Sequence, residues 1–413
     1  MPEVMADVRV MPALPRSLAG QGSRIVSVDF MRGLAMVVMA IDHCRDYLTN
    51  IPIEPEDVAH TYPALFFTRW VTHFCAPLFF FLAGTGAFLL RQKSGSIGEV
   101  SKFLWTRGLW LIVLEFTIIE YAWTFVFWQM GGVIWSLGTC MVLMALLVRL
   151  PEKIILGFGL ALIVLHDLFD QVKPAQLGSF NWLWFLLHRR GTIPHTHFFV
   201  LFPIIPLLGV MAVGYVFGKL FEKPVEVRSR LMLLIGSIAT AAFIVLRAFN
   251  AYGNPPAGVA ASTPGAWQPQ GTLAMSIVSF LDVEKYPTSL QYLLMTLGPA
   301  LMLLGLVDRG AKSEGFQKLI QPVVVFGRVP LLFYVLHLYA IHFAAILLAN
   351  LTHQPAAWLW RGAFWMNEVP ADYGHGLPAM YLTWFVVIAV LYIPCAWFAA
   401  YRRNHRAWWL SYL

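Results

Sequence analysis

Charge is the scarcest ingredient of this sequence. Only 12% of its 413 residues are Asp, Glu, Lys or Arg, about half the share of about 25% found in ordinary soluble domains. A water-soluble protein of this length would lack the polar shell to cover its surface. A disordered chain is excluded as well, because it needs more charge and far fewer apolar residues. Cysteine is nearly as rare. Cys44, Cys75, Cys140 and Cys395 form no CxxC pair and no zinc spacing, which excludes a disulfide scaffold. Cys44 and Cys75 fall near one membrane face in the topology below. A disulfide between them is an open option, with four small apolar residues the favoured reading. Residues 1–25 carry Arg9, Arg16 and Arg24 but no apolar run of the kind a cleaved signal needs. The first long apolar stretch is therefore expected to stay as an anchor.

What is present is apolar: 59% of the residues are hydrophobic and 15% aromatic. A helix crosses the bilayer with about 20 such residues. Apolar runs separated by turn signals such as Pro52, Gly95, Gly131-Gly132, Pro151, Pro224 and Gly310 predict an all-α, polytopic membrane bundle of about ten transmembrane helices. They are placed at 26–47, 68–90, 104–127, 132–150, 153–170, 197–220, 229–249, 287–307, 327–350 and 378–400. The domain organisation is a cytoplasmic segment 1–25, a transmembrane domain 26–400 and a basic, aromatic cytoplasmic tail 401–413. With both termini inside, 21 of the 29 Lys and Arg side chains fall on inner segments and 8 on outer ones, as the positive-inside rule requires. The net charge of +7 is thus an orientation signal, and nucleic acid is not an expected partner. Long outer loops at 171–196, 250–286 and 351–377, rich in Trp, Pro, Gly and His, are expected to fold back over the bundle.

Ionisable residues inside spans are costly, about 2.5–3.5 kcal/mol each on insertion scales, and usually face a cavity or a partner. The first span carries Asp29 and Arg32, three apart near the inner surface, where they can pair. Its outer end holds Asp42, His43, Arg45 and Asp46. His43 can touch Asp46, and Asp42 can touch Arg45. Arg69 and His73 share a face at the outer end of the second span. Two outer histidines on adjacent spans suggest one shared site. Histidine titrates near neutrality and serves as base or nucleophile. Glu115 lies in mid-span with only Arg107 within helical reach, so it needs an interhelical partner or a proton. His195 and His197 lack a third ligand, and no metal is expected. Gly214 and Gly218 form a GxxxG face for close packing. Arg328 lies at an inner boundary, and Tyr334, His337 and His342 are predicted to line a polar track.

These residues carry a resemblance. Arg24-Ile-Val-Ser-Val-Asp29-Phe-Met-Arg32-Gly33, followed by Asp42-His43, resembles the opening of heparan-alpha-glucosaminide N-acetyltransferase and its bacterial relatives. Phe67 to Gly84, Lys285-Tyr-Pro-Thr-Ser-Leu, Leu297-Gly-Pro and Phe326-Gly-Arg-Val-Pro to His337 are similar to later signatures of the bacterial branch. The resemblance implies a membrane acyltransferase of about ten helices, set in a bacterial inner membrane. It would pass an acetyl group from cytosolic acetyl-CoA to a sugar or other acceptor on the far side. It implies a catalytic histidine, with His43 ranked first, helped by Asp42, Asp46 and His73. The animal enzyme carries Asn at the position matching His43 and a histidine in the following loop, which keeps His60 and His73 open as alternatives. Arg45, Arg69, Arg107, Glu115, Arg328, Tyr334 and His337 would bind CoA or substrate, and outer tryptophans (Trp182, Trp184, Trp267, Trp358) could stack on a sugar. Membrane lipid and a small-molecule or glycan acceptor are the expected partners, and a homodimer is open. The alternative function is a proton-coupled transporter using Glu115, His337 and His342 as a relay.

Overall fold

The structure is a computed structural model that describes residues 25–49, 51, 53–255, 265–362, 369–405, 407 and 410. The segment 1–25 apart from Ile25, and Arg406, Trp408, Trp409 and 411–413 of the tail, lie outside the described residues. Fifteen α-helices follow in order: α1 Val26–Leu48, α2 Pro63–Trp70, α3 Cys75–Ser94, α4 Ile97–Leu114, α5 Glu120–Thr124, α6 Val133–Leu147, α7 Glu152–Leu165, α8 Asn181–Leu187, α9 Ile204–Phe217, α10 Val225–Ala248, α11 Leu273–Leu281, α12 Leu290–Gly310, α13 Glu314–Arg328, α14 Pro330–Leu351 and α15 Leu377–Asn404. Three two-residue strands, β1 Met130–Gly131, β2 Gly191–Thr192 and β3 Phe199–Val200, make a small sheet in the order β1-β3-β2.

Helices occupy all ten predicted segments. Among the described residues, six stretches are long and apolar enough to cross a membrane: Pro63–Ser94, Ile204–Glu222, Val225–Ala248, Leu290–Gly310, Pro330–Leu351 and Leu377–Asn404. The pair Glu152–Phe169 and Pro174–Leu187, bent by 117°, makes a seventh if counted as one. Lipid-compatible side chains such as Leu234 and Ile238 on α10, and Leu382, Phe385 and Ile393 on α15, point outward. That inverts the soluble arrangement and fits the scarcity of charge. The chain is a multi-pass membrane protein.

Several boundaries differ from the predicted spans (α3 runs to Ser94, α4 starts at Ile97 and α10 at Val225), and two of the differences have a reason written in proline. Residues 197–203 precede the helix: Phe199–Val200 pairs with Met130–Gly131, and α9 starts only after Pro203. The run 327–350 is two elements, because Pro330 has no N–H to donate back and opens a new helix at α14. The four cysteines are free and buried. Cys75 Sγ instead donates to the Ala35 carbonyl at 3.3 Å.

α1 is the central rod. It packs on α13, α14, α15 and α3, which lets it carry six ionisable residues that no lipid-facing helix would tolerate. Its closest neighbour is α13. A Cβ on Gly33 would overlap the Val323 carbonyl oxygen, and one on Gly327 would overlap the Asp29 carbonyl oxygen. The two glycines interlock, so Arg32-Gly33 and Gly327-Arg328 form a single packing seam. The α3–α9 pair is equally tight: Gly84 meets the Met211 backbone and Gly214 the Phe81 backbone, as expected of the GxxxG face.

The long loops after α7 and α10, predicted to lie outside, are held by buried polar clamps. Arg247, 1% exposed, donates to the carbonyls of Phe280, Gly265, Ser279 and Asp282 at 3.0, 3.0, 2.9 and 2.6 Å. His166 Nε2 lies 2.9 Å from the Thr288 carbonyl, and Asp167 Oδ2 accepts from Leu290 N–H at 2.9 Å. These contacts fix the segment Asp282–Ser289 that leads into α12.

Candidate functional site

The C-terminal end of α1 and the start of the α2–α3 span meet in a buried ionic cluster. Asp42 Oδ1 forms an ion pair with Arg45 Nη1 at 2.5 Å, and Asp42 Oδ2 accepts from Arg69 Nη1. Asp46 accepts from Arg45 Nη2 at 2.6 Å. Arg69 Nε is 3.5 Å from Glu56 Oε2, and His73 Nε2 is 2.7 Å from Glu56 Oε1. The helical spacing explains Asp42–Arg45. The Arg69 and His73 contacts arise because a short 3₁₀ turn, Val71–Phe74, sets His73 inward beneath the loop. Tyr292 on α12 donates to the His73 carbonyl at 2.7 Å and closes the cluster from behind. Removing one partner from a buried ion pair costs about 3–5 kcal/mol, so the cluster is a rigid wall. Arg45 and Arg69, expected to bind substrate, are both engaged by its carboxylates.

His43 stands beside this wall with a different partner. Its Nδ1 is 2.7 Å from His337 Nε2 on α14, and His337 Nδ1 is 3.1 Å from the Phe333 carbonyl oxygen. A carbonyl only accepts, so His337 Nδ1 carries the proton. With both rings neutral, His337 Nε2 is then bare and accepts from His43 Nδ1–H. His43 Nε2 is left with its lone pair free. The His43 ring is half-buried, with the Trp123 ring edge-on at 4.6 Å. Asp42 and Asp46, expected to orient the imidazole, point to arginines, and His337 takes that place. Tyr334, 3% exposed, packs edge-on to His337 at 5.3 Å.

His60 is set apart. It is exposed and bonds Asp57 Oδ2 at 2.6 Å. Of the three candidate histidines, the structure gathers His43 and His73 at the cluster.

The groups expected to form a relay are engaged elsewhere. Glu115 sits in a π turn, Glu115–Ile119, and its Oε2 accepts from Trp135 N–H at 3.0 Å at the start of α6. It serves as a tertiary N-cap, where a carboxylate meets orphan N–H groups and the positive end of the helix. Gly132 is required there, since a Cβ would strike the Glu115 carboxylate. Glu120 Oε1 accepts from Met130 N–H at 2.6 Å. His342 Nδ1 and Nε2 lie 3.0 and 2.7 Å from the carbonyls of Ala122 and Leu359.

At the opposite end of α1, Arg328 Nε is 3.9 Å from Asp29 Oδ2 and Arg32 Nη1 is 3.8 Å from Asp29 Oδ1. Arg402 Nη1 donates to the Arg328 carbonyl at 3.2 Å. Two guanidinium groups thus lie near one carboxylate, with a third on the backbone of Arg328. Arg107 is half-buried on α4. Among the tryptophans predicted to lie outside, Trp182 lines an open cleft of about 580 Å³ with Asn181, Ser179 and His195. Trp184 and Trp267 donate to the carbonyls of Val172 and Ala248 at 3.0 and 3.3 Å, and Trp358 packs on Tyr373.

Two participants escaped sequence reasoning. Glu56 lies in a loop with no helical register to tie it to His73. Glu284, in the segment before α12, accepts from Tyr286 N–H at 2.7 Å, and its Oε2 is buried without a partner. Burial pushes the Glu284 carboxyl up to about 7, only partly offset by that hydrogen bond. A raised folded-state pKa means the native state binds more protons than the unfolded state between about pH 4.5 and 7. The carboxyl therefore weakens stability as pH rises through that window. Glu284→Gln is expected to gain stability relative to wild type at pH 8, with the gain shrinking toward pH 5 at roughly 1.4 kcal/mol per pKa unit. Thermal unfolding at the two pH values reads it. Glu56 behaves oppositely: burial raises it, but Arg69 and His73 outweigh burial and bring it below the usual carboxylate range.

No curated protein sequence matches the chain. The family model "Heparan-alpha-glucosaminide N-acetyltransferase, catalytic" matches residues 24–247. The matched stretch holds Asp29, Arg32, Gly33, His43 and His73, while His337 comes from beyond it. The match supports an acetyltransferase-type membrane enzyme, and the chain belongs to the heparan-alpha-glucosaminide N-acetyltransferase catalytic family.

Proposed function

We propose that this protein takes an acetyl group from cytosolic acetyl-CoA and transfers it to a sugar or glycan acceptor on the extracytoplasmic side of the membrane. The observation that carries the reading is the His43–His337 pair, which leaves a free imidazole lone pair in a half-buried site against a rigid ionic wall. That is the state a general base needs. His43 Nε2 takes the proton from the acceptor hydroxyl or amine, and His337 holds the ring in its tautomer. Asp42 and Asp46 act through the arginines they fix.

The donor enters from the Asp29 end. Arg328 and Arg107 hold the phosphates of CoA, since guanidinium forks match phosphate oxygens. Asp29 and His43 are fourteen residues apart on one helix, or about 21 Å at 1.5 Å per residue. An extended pantetheine arm bridges that distance, so the thioester reaches His43 while the nucleotide stays at the cytosolic face. The Trp182 cleft gives an acceptor sugar an aromatic face and neutral hydrogen-bonding neighbours.

The test is to incubate the purified protein with acetyl-CoA and a hexosamine and to follow the acceptor by mass. Acetylated product that saturates with acetyl-CoA supports the reading. Proton-driven solute uptake into liposomes without CoA would replace it with a carrier.

A further inference from the structure

Among the described residues two aromatic side chains pack on the His43 imidazole. His337 lies nearly parallel to it, with ring centroids 4.9 Å apart, and takes Nδ1. Trp123 meets it at 72°, with centroids 4.6 Å apart. The indole is half-buried. Tyr47, one helical turn beyond His43 on α1, stacks on it with centroids 5.5 Å apart and planes 18° apart.

The backbone under this indole is aimed and then fixed. α4, the π turn Glu115–Ile119 and α5 follow one another without a break. A π turn inserts one residue, which turns every later side chain by about 100°, the arc of one residue at 3.6 per turn. Trp123 owes its direction to that insertion. The two helices that carry the imidazole pair then hold α5 in place. From α1, Tyr47 Oη donates to the Trp123 carbonyl at 2.6 Å. From α14, His342 Nδ1 lies 3.0 Å from the Ala122 carbonyl oxygen, and Tyr339 Oη donates to the Ile118 carbonyl at 3.2 Å. Glu120 Oε1 anchors the same turn to Met130 N–H at 2.6 Å.

We infer that Trp123 sets the length of the acyl chain this protein transfers: its indole is the wall that admits an acetyl group at His43 and turns away longer acyl groups. This rests on the acyltransferase reading above. The acceptor atom that gives its proton to His43 Nε2 must come within about 3 Å of that nitrogen, and the thioester carbon within about 3–3.5 Å of the acceptor atom. The carbons that follow the carbonyl are therefore laid among the atoms nearest the imidazole, where the indole stands. Each methylene beyond the acetyl methyl has to displace a ring whose carbonyl, stacking partner and helix are all held. A close-packed interior resists an added methylene. The transfer is the same in kind for every chain length: a C–O or C–N bond forms as the C–S bond breaks, and the proton taken by His43 goes to the thiolate.

The experiment measures kcat/KM for acetyl-, propionyl-, butyryl- and hexanoyl-CoA with a hexosamine acceptor, on full-length wild type, Trp123→Ala and Tyr47→Phe. Wild type is expected to lose about 10–200-fold on the first added methylene. In Trp123→Ala the preference for acetyl over butyryl collapses to within a few-fold, whatever the absolute rate. Tyr47→Phe keeps the stacked ring but releases the Trp123 carbonyl, and it relaxes the preference in part. Equal falls for every chain length in Trp123→Ala would make the indole a structural support and overturn the inference. A wild type that transfers butyryl as fast as acetyl would overturn it too, and that result stands even if Trp123→Ala fails to fold. If wild type transfers no acyl group from any donor, the acyltransferase reading itself falls, and the role of Trp123 with it.

Discussion

His43→Ala is expected to lower acetyl transfer by about 10²–10⁴-fold while leaving acetyl-CoA affinity within a few-fold of wild type. That range is what a positioned general base supplies. Affinity is spared because Arg328, proposed to hold the phosphates, lies beside Asp29, about 21 Å along α1 from His43. Folding should be spared too. His43 is half-buried and contributes one hydrogen bond, to His337, worth about 0.5–1.5 kcal/mol. The contrast with His73 sharpens the test. His73 is fully buried against Glu56 and Tyr292, so a substitution there costs stability together with activity. Parallel measurement of turnover, acetyl-CoA binding and thermal midpoint separates the two. Unchanged turnover in His43→Ala would remove it from the chemistry.

The largest structural effect is expected from Gly327→Ala. The added Cβ would lie well inside van der Waals contact with the Asp29 carbonyl oxygen and would press on the backbone at Gly33. Backbone cannot rotate away as a side chain can. α1 and α13 must separate, carrying Asp29 from Arg328 and tilting the helix that bears His43. Overpacking in a dense interior costs about 1–3 kcal/mol, and this contact belongs at or above the top of that range. Thermal unfolding in detergent should show a clear drop in midpoint. Gly315→Ala, where the nearest outside atom is the Ser313 hydroxyl oxygen at 3.7 Å, is the control and should leave the midpoint in place.

The helical bundle was legible because lipid leaves few choices: long apolar runs must be helices, and Pro and Gly mark where they stop. Legible too were the residues that break the apolar rule. Asp42, His43, Arg45, Asp46, Arg69 and His73 all meet at one end of the bundle. Their partnerships were less so. Helical spacing pairs Asp42 with Arg45, but it cannot show that α14 brings His337 onto His43, nor that Glu56 reaches His73 from a loop. Glu115 stayed open between a carrier and a structural partner because it accepts from the backbone of α6, which no side-chain pattern announces. Arg32-Gly33 and Gly327-Arg328 read as separate motifs, and only the close approach of α1 and α13 makes them one seam.

The most direct test of the account is vectorial transfer in sealed vesicles that carry the wild-type protein. Labelled acetyl-CoA is supplied at one face, and a membrane-impermeant amino sugar is confined to the other. The account predicts that label appears on the sugar amine or hydroxyl across the bilayer, one CoA released per acetyl transferred, and that His43→Ala vesicles fail to do this. Intact acetyl-CoA and unmodified sugar in wild-type vesicles, with a solute accumulating under a proton gradient instead, would contradict it.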